Sequence, residues 1–384
     1  MRSNLKVLHI ITSTDVGGAE NALYQLVAHA DKSRFTMRVI SLASKGPVAN
    51  KIEADGIEVQ SLEMKPGRFS IRAFFQLLHH IRSEKPDLIH CWMYHANLFG
   101  GFAGWLTRVP VVWGIHHHSA GKSHLKLKSI FILRLGALFS CIPKRILFVS
   151  ENSLKAHIDL GFDEDKSIVT PNGVDTGHFR PNQNLGNSLR KKLGIPLNVP
   201  VIGHVGRFNP AKDHQTFIKA SALIIKKMPQ ARFILCGKNV TEDNTQLFYY
   251  LETAGIKTEV HLLGEQLEMQ GVYPAFDILI QSSLSEAFPL SLVEAMACGV
   301  PCVATNVGDS ALIIGETGRL VTTGDHIAIA EKSFSLIKNK KLLKKLGIQA
   351  RKRIIDKFQI TEVTKSMEAI YEDVIKQIHA GIVR

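Results

Sequence analysis

Short apolar runs alternate with helix-length segments along almost the whole chain, and the alternation halts once and then restarts. Leu5 to Thr12, Phe35 to Leu42, Ile57 to Leu62, Asp87 to Cys91, Val109 to Trp113 and Arg145 to Ser150 read as strands. Helical patterns such as Ala19 to Ala30, Ile71 to Ser83 and Ser153 to Leu160 lie between them. Strands joined through helices pair in parallel, and a parallel sheet needs both faces covered, so the expected fold class is α/β. The pattern begins again with Pro200 to Gly206, Arg232 to Cys236, Val260 to Leu263, Asp277 to Ser283 and Pro301 to Thr305, with helices around Phe217 to Lys227 and Thr241 to Thr253. Two Rossmann-like domains follow, joined near the polar stretch His178 to Leu197, with disorder expected only at the ends and around Pro181 to Asn187. At 384 residues the chain also exceeds what one core usually supports.

In doubly wound sheets ligands lie beyond the carboxyl ends of the strands, so the active site is expected in a cleft between the two domains. At one such strand end Glu286 and Glu294 bracket Glu-Ala-Phe-Pro-Leu-Ser-Leu-Val-Glu. Pro289 suits a first helical position, and Gly299 and Pro301 stop that helix. Glu286 is therefore placed in a loop and Glu294 a turn or more into a helix. The free N–H groups of a helix start attract phosphate, and a carboxylate on the flanking loop can accept from sugar hydroxyls, which suits a nucleotide sugar. Following the first strand of the second half, Arg207 and Lys212 of Val205-Gly-Arg-Phe-Asn-Pro-Ala-Lys212 stand where fixed cations would stabilise a departing diphosphate. Gly17 and Gly18 open the first helix and let a backbone come close to a ligand.

The spaced glutamates, followed by Glu-Ala-Met-Ala-Cys-Gly-Val-Pro-Cys-Val-Ala-Thr305, resemble the motif of retaining glycosyltransferases of family 4. The resemblance extends over nearly the whole chain and implies the GT-B type of fold. It implies domains at residues 1–178 and 179–361, the first an acceptor domain and the second a donor domain, with a last helix, 362–384, crossing back to the first. Val363, Met367, Ile370, Tyr371, Val374 and Ile378 give that helix one apolar face. By the same resemblance Glu294 binds the ribose, Glu286 contacts the transferred sugar, and Phe288, Pro289, Leu290 and Ser291 form the donor-binding helix start. Arg207 and Lys212 take the diphosphate, Gly17 and Gly18 face the donor, Gly264 meets the base, and Asn172 of Asn-Gly-Val-Asp175 lies near the cleft. His116, or its neighbour His117, stands beside the transferred sugar, and His95 is a lesser candidate.

The implied activity is transfer of a hexose or N-acetylhexosamine from a nucleotide sugar, first of all a UDP-sugar, to a lipid-linked or polysaccharide acceptor of the cell envelope. A nucleotide-sugar 2-epimerase of the same fold and a non-catalytic nucleotide-sugar binding protein are the alternatives. No cofactor or essential metal is expected: Asp163-Glu-Asp165 imitates a metal-binding Asp-x-Asp, but its setting is that of a solvated turn. Trp92, Tyr94, Phe99 and Trp105 suit either a core or an acceptor platform.

The formal charge of +13 calls for an anionic partner. No acidic residue occurs between Asp87 and Glu151, while Arg108, Lys122, Lys126, Lys128, Arg134, Lys144 and Arg145 fall there. Lys122 to Phe139 mixes cations with large apolar residues, as a helix lying on an anionic membrane would, or as a core helix with a solvated basic face would. Nucleic acid is not expected, for want of any recognition signature. Five cysteines with no Cys-x-x-Cys pair read as reduced core thiols. With no signal-peptide stretch after Met1 and no tract long enough to span a bilayer, the expected location is the cytoplasm, with peripheral contact on the inner face of the membrane.

Overall fold

In the computed structural model, which describes residues 4–65, 69–116 and 127–382, the chain forms two compact units. Unit 1 comprises Met1–Gly173 with Ile360–Arg384, and unit 2 comprises Val174–Gln359.

Unit 1 runs β1 (Leu5–Ile11), α1 (Gly18–His29), β2 (Phe35–Ser41), α2 (Pro47–Ala54), β3 (Val59–Ser61), α3 (Ile71–Glu84), β4 (Leu88–Trp92), α4 (Tyr94–Thr107), β5 (Val111–Ile115), α5 (Leu127–Leu138), β6 (Arg145–Phe148), α6 (Glu151–Ile158) and β7 (Ser167–Val169). Unit 2 runs α7 (Gln183–Lys192), β8 (Val201–Val205), α8 (His214–Lys227), β9 (Arg232–Cys236), α9 (Thr245–Ala254), β10 (Val260–Leu262), β11 (Ile278–Gln281), α10 (Leu290–Ala297), β12 (Cys302–Thr305), α11 (Ser310–Ile314), β13 (Arg319–Val321), α12 (His326–Lys338) and α13 (Lys340–Phe358). The last helix, α14 (Ile360–Ile382), packs on α1 in unit 1, where Met367, Tyr371, Val374 and Ile375 join the core.

Strand order is β3-β2-β1-β4-β5-β6-β7 in the first sheet and β10-β9-β8-β11-β12-β13 in the second, with parallel pairing between β1 and both its neighbours and between β8 and both of its own. Chain direction across each sheet reverses at one point, between β1 and β4 and between β8 and β11. Loops leaving adjacent strands diverge there, which opens a crevice at their carboxyl ends. The loop after β8 carries Arg207 and Lys212, and the one after β11 carries Glu286. Buried runs such as Leu88 to Trp92 and Val111 to Ile115 are covered on both faces, as parallel strands require.

One expectation is corrected in the joining stretch. Pro181 to Asn187, read as a candidate disordered segment, belongs to the start of α7. Asn182 caps the helix by accepting from Leu185 N at 3.1 Å. Gly186 lies against the backbone of Pro274, where a Cβ would collide, and Arg190 pairs with Asp277 at 2.9 Å and donates to Ala275 O at 2.8 Å. The partners are distant in sequence, so the polar composition of the stretch hid them. The cysteines need a second correction: Cys91, Cys236, Cys298 and Cys302 are buried free thiols, but Cys141 is exposed.

Candidate functional site

The loop that leaves β8 begins at Gly206, whose missing side chain lets the Lys212 stem pass: a Cβ there would sit 3.2 Å from Lys212 Cδ. The chain then makes a short 3-10 turn, Pro210–Lys212, with Asn209 capping Ala211 N at 2.8 Å, and enters α8. This turn aims Lys212 back across the sheet, where its ammonium forms a short ion pair with Glu286 Oε1. The same carboxylate oxygen accepts from Ser283 Oγ at 2.7 Å and from Gln281 Nε2 at 3.2 Å. Gln281 ends β11 and Ser283 follows it, so the strand end and the loop cation hold Glu286 between them. The pair is partly shielded, with the Glu286 side chain 11% exposed, so their attraction is stronger than that of a surface pair. Arg207 is exposed on the same loop.

Glu294 lies in the second turn of α10, where it accepts from the hydroxyl of Tyr273 at 2.6 Å. Burial, and after it the charge of Glu294, holds the Tyr273 phenol well above its ordinary pKa, so the hydroxyl keeps its proton and can only donate to the carboxylate. Burial also pushes the nearby Cys298 thiol up to about 12, with Glu294 adding to the shift, and Cys236 likewise to about 12. Neither thiol is ionised enough at neutral pH to act as a nucleophile.

Pro289 is the N-cap residue of α10 and not its first helical residue, and no side chain caps this helix start. Leu292 N already bonds Pro289 O at 3.1 Å, which leaves the N–H groups of Leu290 and Ser291 for an anion. Pro289 has no N–H to give, and Phe288 is buried with its ring edge-on to Phe358 at 5.5 Å, so these two shape the loop by packing. Gly264 follows β10 with φ +67 and receives Gly237 N on its carbonyl at 2.8 Å, which sets both glycines at neighbouring strand ends.

A brace that the sequence reading missed stands behind Glu286. Gly308, with φ +52 after β12, lies directly on the carbonyls of Glu286 and Ala287, and Asp309 N donates to Ala287 O at 3.0 Å. The glycine in Asn306-Val-Gly-Asp309 was the available signal. The partners that fix the two glutamates, Tyr273, Gln281 and Ser283, were missed for a different reason, since nothing in their local sequence marks them.

The remaining candidates lie in unit 1. Gly17 is the N-cap residue of α1 in an extended conformation that any residue adopts, so its backbone alone does not require glycine. Gly18 is the first helical residue, and the turn before it is pinned by Thr14, whose hydroxyl accepts from Gly46 N at 2.8 Å. His116 follows β5 and stacks on Trp92, 4.7 Å and 19° between the rings. Trp92 in turn donates to His9 at 3.1 Å, and His90 bonds the Tyr371 hydroxyl at 2.7 Å, so His116 caps a buried aromatic stack. His95 is exposed in the first turn of α4. Asn172 precedes Gly173, where a Cβ would press within 2.8 Å of Ile360 Cα, so this turn serves the packing of α14. His117, Lys122 and Lys126 lie outside the described residues. Asp163 pairs with Lys166 at 3.1 Å in the turn before β7. Trp92 and Phe99 are core residues, Tyr94 bonds His157 at 2.7 Å, and Trp105 alone of these four aromatics is exposed.

A family model described as glycosyl transferases group 1 matches residues 187–353, and one described as Glycosyltransferase Family 4 matches residues 16–178. The chain is 24% identical to the UDP-Gal:alpha-D-GlcNAc-diphosphoundecaprenol alpha-1,3-galactosyltransferase of Escherichia coli, over 97% of this chain and 98% of that one. It is 25% identical to the capsular polysaccharide biosynthesis glycosyltransferase CapM of Staphylococcus aureus, again over 97% of this chain and 98% of the relative. Among solved structures, HepE of Anabaena in complex with UDP and glucose superposes with a TM-score of 0.86 at 22% identity, covering 96% of this chain and all 100% of that chain. WaaG, a glycosyltransferase involved in lipopolysaccharide biosynthesis, gives 0.74 at 13% identity over 96% of this chain and 99% of its own. The fold is therefore GT-B, and with both halves of its sequence matched, the chain belongs to glycosyltransferase family 4 and is a glycosyltransferase.

Proposed function

We propose that the protein transfers a sugar, with retention of anomeric configuration, from a UDP-sugar to a hydroxyl of a lipid-linked or polysaccharide acceptor in cell-envelope glycan synthesis. The observation that carries this reading is the arrangement at the ends of β8 and β11, where Lys212 meets Glu286 beside the uncapped start of α10. In this reading Glu294 binds the ribose, and the N–H groups of Leu290 and Ser291 together with Arg207 and Lys212 take the diphosphate. Gly264 borders the base and Glu286 holds the transferred sugar, and Gly17, Gly18, Asn172 and His116 are the proposed site residues of unit 1. The galactosyltransferase relative, whose name gives a UDP-Gal donor and a diphosphoundecaprenol acceptor, supports the choice of donor base and acceptor class.

The acceptor oxygen bonds to the anomeric carbon as the bond from that carbon to the diphosphate oxygen breaks, and the acceptor proton passes to the departing phosphate on the same face. Fixed cations stabilise the charge that gathers on the leaving group, so the reaction proceeds without a metal. Cys236 and Cys298 are not available as nucleophiles at neutral pH, and Glu286 already has three donors on one oxygen, which suits a binding role.

Peripheral contact with an anionic membrane belongs to the same proposal. The adjacent helices α3, α4 and α5 leave Phe75, Trp105, Phe131 and Leu138 exposed, and Phe131, Arg134 and Leu138 share one face of α5. No helix among the described residues is long and apolar enough to cross a membrane.

A thermal-shift screen of UDP-, GDP- and ADP-sugars tests the donor, since a ligand bound only by the folded state raises its stability with occupancy. Product analysis with the stabilising donor and an undecaprenyl-diphosphate-linked sugar should give a new glycosidic bond of the donor's anomeric configuration and one nucleoside diphosphate per bond. Conversion of the donor to its 2-epimer with no acceptor present would replace the transferase reading.

A further inference from the structure

Beneath the cation loop lies a buried polar cluster that the donor contacts do not use. His204 in β8 and His214 at the start of α8 are 1% and 2% exposed, and their rings lie 4.5 Å apart, tilted by 58°. They occupy the two stems of the loop that carries Arg207 and Lys212. Phe217 packs on His204 at 4.7 Å and Phe208 on His214 at 5.1 Å, so the pair is walled by aromatic rings. Burial keeps both imidazoles neutral, His214 at about 4 and His204 well below its ordinary value.

Ser282, fully buried one residue beyond β11, connects this pair to the loop. Its hydroxyl oxygen lies 2.9 Å from Asp213 O, 3.1 Å from Lys212 O and 3.3 Å from His204 Nε2. A hydroxyl has one proton, and the two carbonyls can only accept, so the proton is shared between them and Ser282 must accept from His204. His204 is thereby fixed as the Nε2–H tautomer. The carbonyls held this way belong to a strained turn, because Asp213 has φ +46, a left-handed conformation that favours glycine. The residues on either side of Ser282, Gln281 and Ser283, both donate to Glu286. One tripeptide therefore fixes the glutamate on one side and the turn that aims its lysine partner on the other.

We propose that His204 and Ser282 are positioning residues for the donor diphosphate, acting through a relay from His204 Nε2–H to Ser282 Oγ–H to the carbonyls of Lys212 and Asp213. The relay sets where the Lys212 ammonium stands, and the inference rests on the reading of Lys212 as a diphosphate ligand.

The test is calorimetric binding of UDP, GDP and ADP to the whole chain, followed by titration of the tightest of them into variants. Ser282→Ala and His204→Leu should each weaken binding by about tenfold, the scale of one well-placed hydrogen bond. His204→Gln, whose amide can donate to Ser282 in place of the imidazole, should stay within about threefold of the parent. In a Lys212→Ala background, His204→Leu should cause no further loss, because residues acting through one group are not additive. Binding by Ser282→Ala within twofold of the parent overturns the proposal even if His204→Leu does not fold, and so does a loss of equal size with and without Lys212, which is what general packing gives. If Lys212→Ala itself binds like the parent, or the parent binds none of the three, the donor reading falls and takes this inference with it. If Lys212→Ala is weakened and Ser282→Ala is not, only the relay falls.

Discussion

Tyr273 donates to Glu294 from a fully buried ring, so this bond cannot be exchanged for one to water without disturbing the core. Tyr273→Phe keeps the ring and deletes the donor, and should weaken nucleoside diphosphate binding about five- to tenfold with little change in turnover at saturating donor. Glu286→Gln should behave in the opposite way. The neutral amide no longer attracts Lys212, and turnover should fall by about a hundredfold or more while the apparent donor affinity shifts less, on the scale of other lost electrostatic contacts in active sites. A Glu286→Gln enzyme with parental turnover would remove the charge from the mechanism. The spacing and setting of the two glutamates were legible in the sequence, because strand, loop, Pro289 and Gly299 leave local marks. Their partners Lys212, Gln281, Ser283 and Tyr273 were legible at most as residues, since a hydrogen bond between distant segments has no local signature.

Two loops and one helix determine how rigid the site is. The loop after β12 supports the loop after β11 through Gly308, which combines a positive φ with contact against the Glu286 carbonyl. Gly308→Ala meets both penalties, and should cost about 2 kcal/mol of stability in unit 2 and reduce turnover, readable as a lower urea midpoint alongside a lower kcat. The short helix α7 depends on Arg190, whose guanidinium bonds Asp277 and the carbonyl of Ala275 while almost fully buried. Arg190→Leu leaves Asp277 without its cation and should destabilise unit 2 by about 3 kcal/mol, with no direct effect on ligand contacts. Elements with strong periodicity, such as α8 and β9, were readable in advance. The polar helix α7 was not, because its stability comes from one buried arginine and one close glycine contact, not from an apolar face.

At the scale of the molecule, both units contain buried neutral histidines, His9 in the first at about 3 and His214 in the second at about 4, each lowered from 6.5 mainly by burial. The unfolded chain therefore binds protons that the folded chain refuses between pH 6.5 and 4. The stability that these groups contribute is complete above pH 6.5 and is lost as pH falls toward 4, by about 2–3 kcal/mol for each histidine. Urea midpoints taken at pH 7.5 and 4.5 should differ for both units, and a pH-independent midpoint would show that these imidazoles are protonated in the folded state. The exposed residues of α3, α4 and α5 give a second prediction. The chain should co-sediment with phosphatidylglycerol vesicles and not with phosphatidylcholine vesicles, and a Phe131→Ser, Leu138→Ser variant should lose most of this binding without a change in melting temperature.

By itself the sequence determined the α/β class, the two sheets, the Glu286 and Glu294 motif and the presence of cations near it, because each of these is written in residues close along the chain. The periodicity of strands and helices, the helix-stopping glycine and proline, and the +13 charge are local or additive properties. Only the tertiary structure decided that Lys212 meets Glu286, that Tyr273 holds Glu294, that Gly308 braces the loop, and that His204 reaches the cation turn through Ser282. Each of these contacts joins segments that a sheet brings together at one strand end, and strand order is fixed by packing of the whole domain and not by any segment alone.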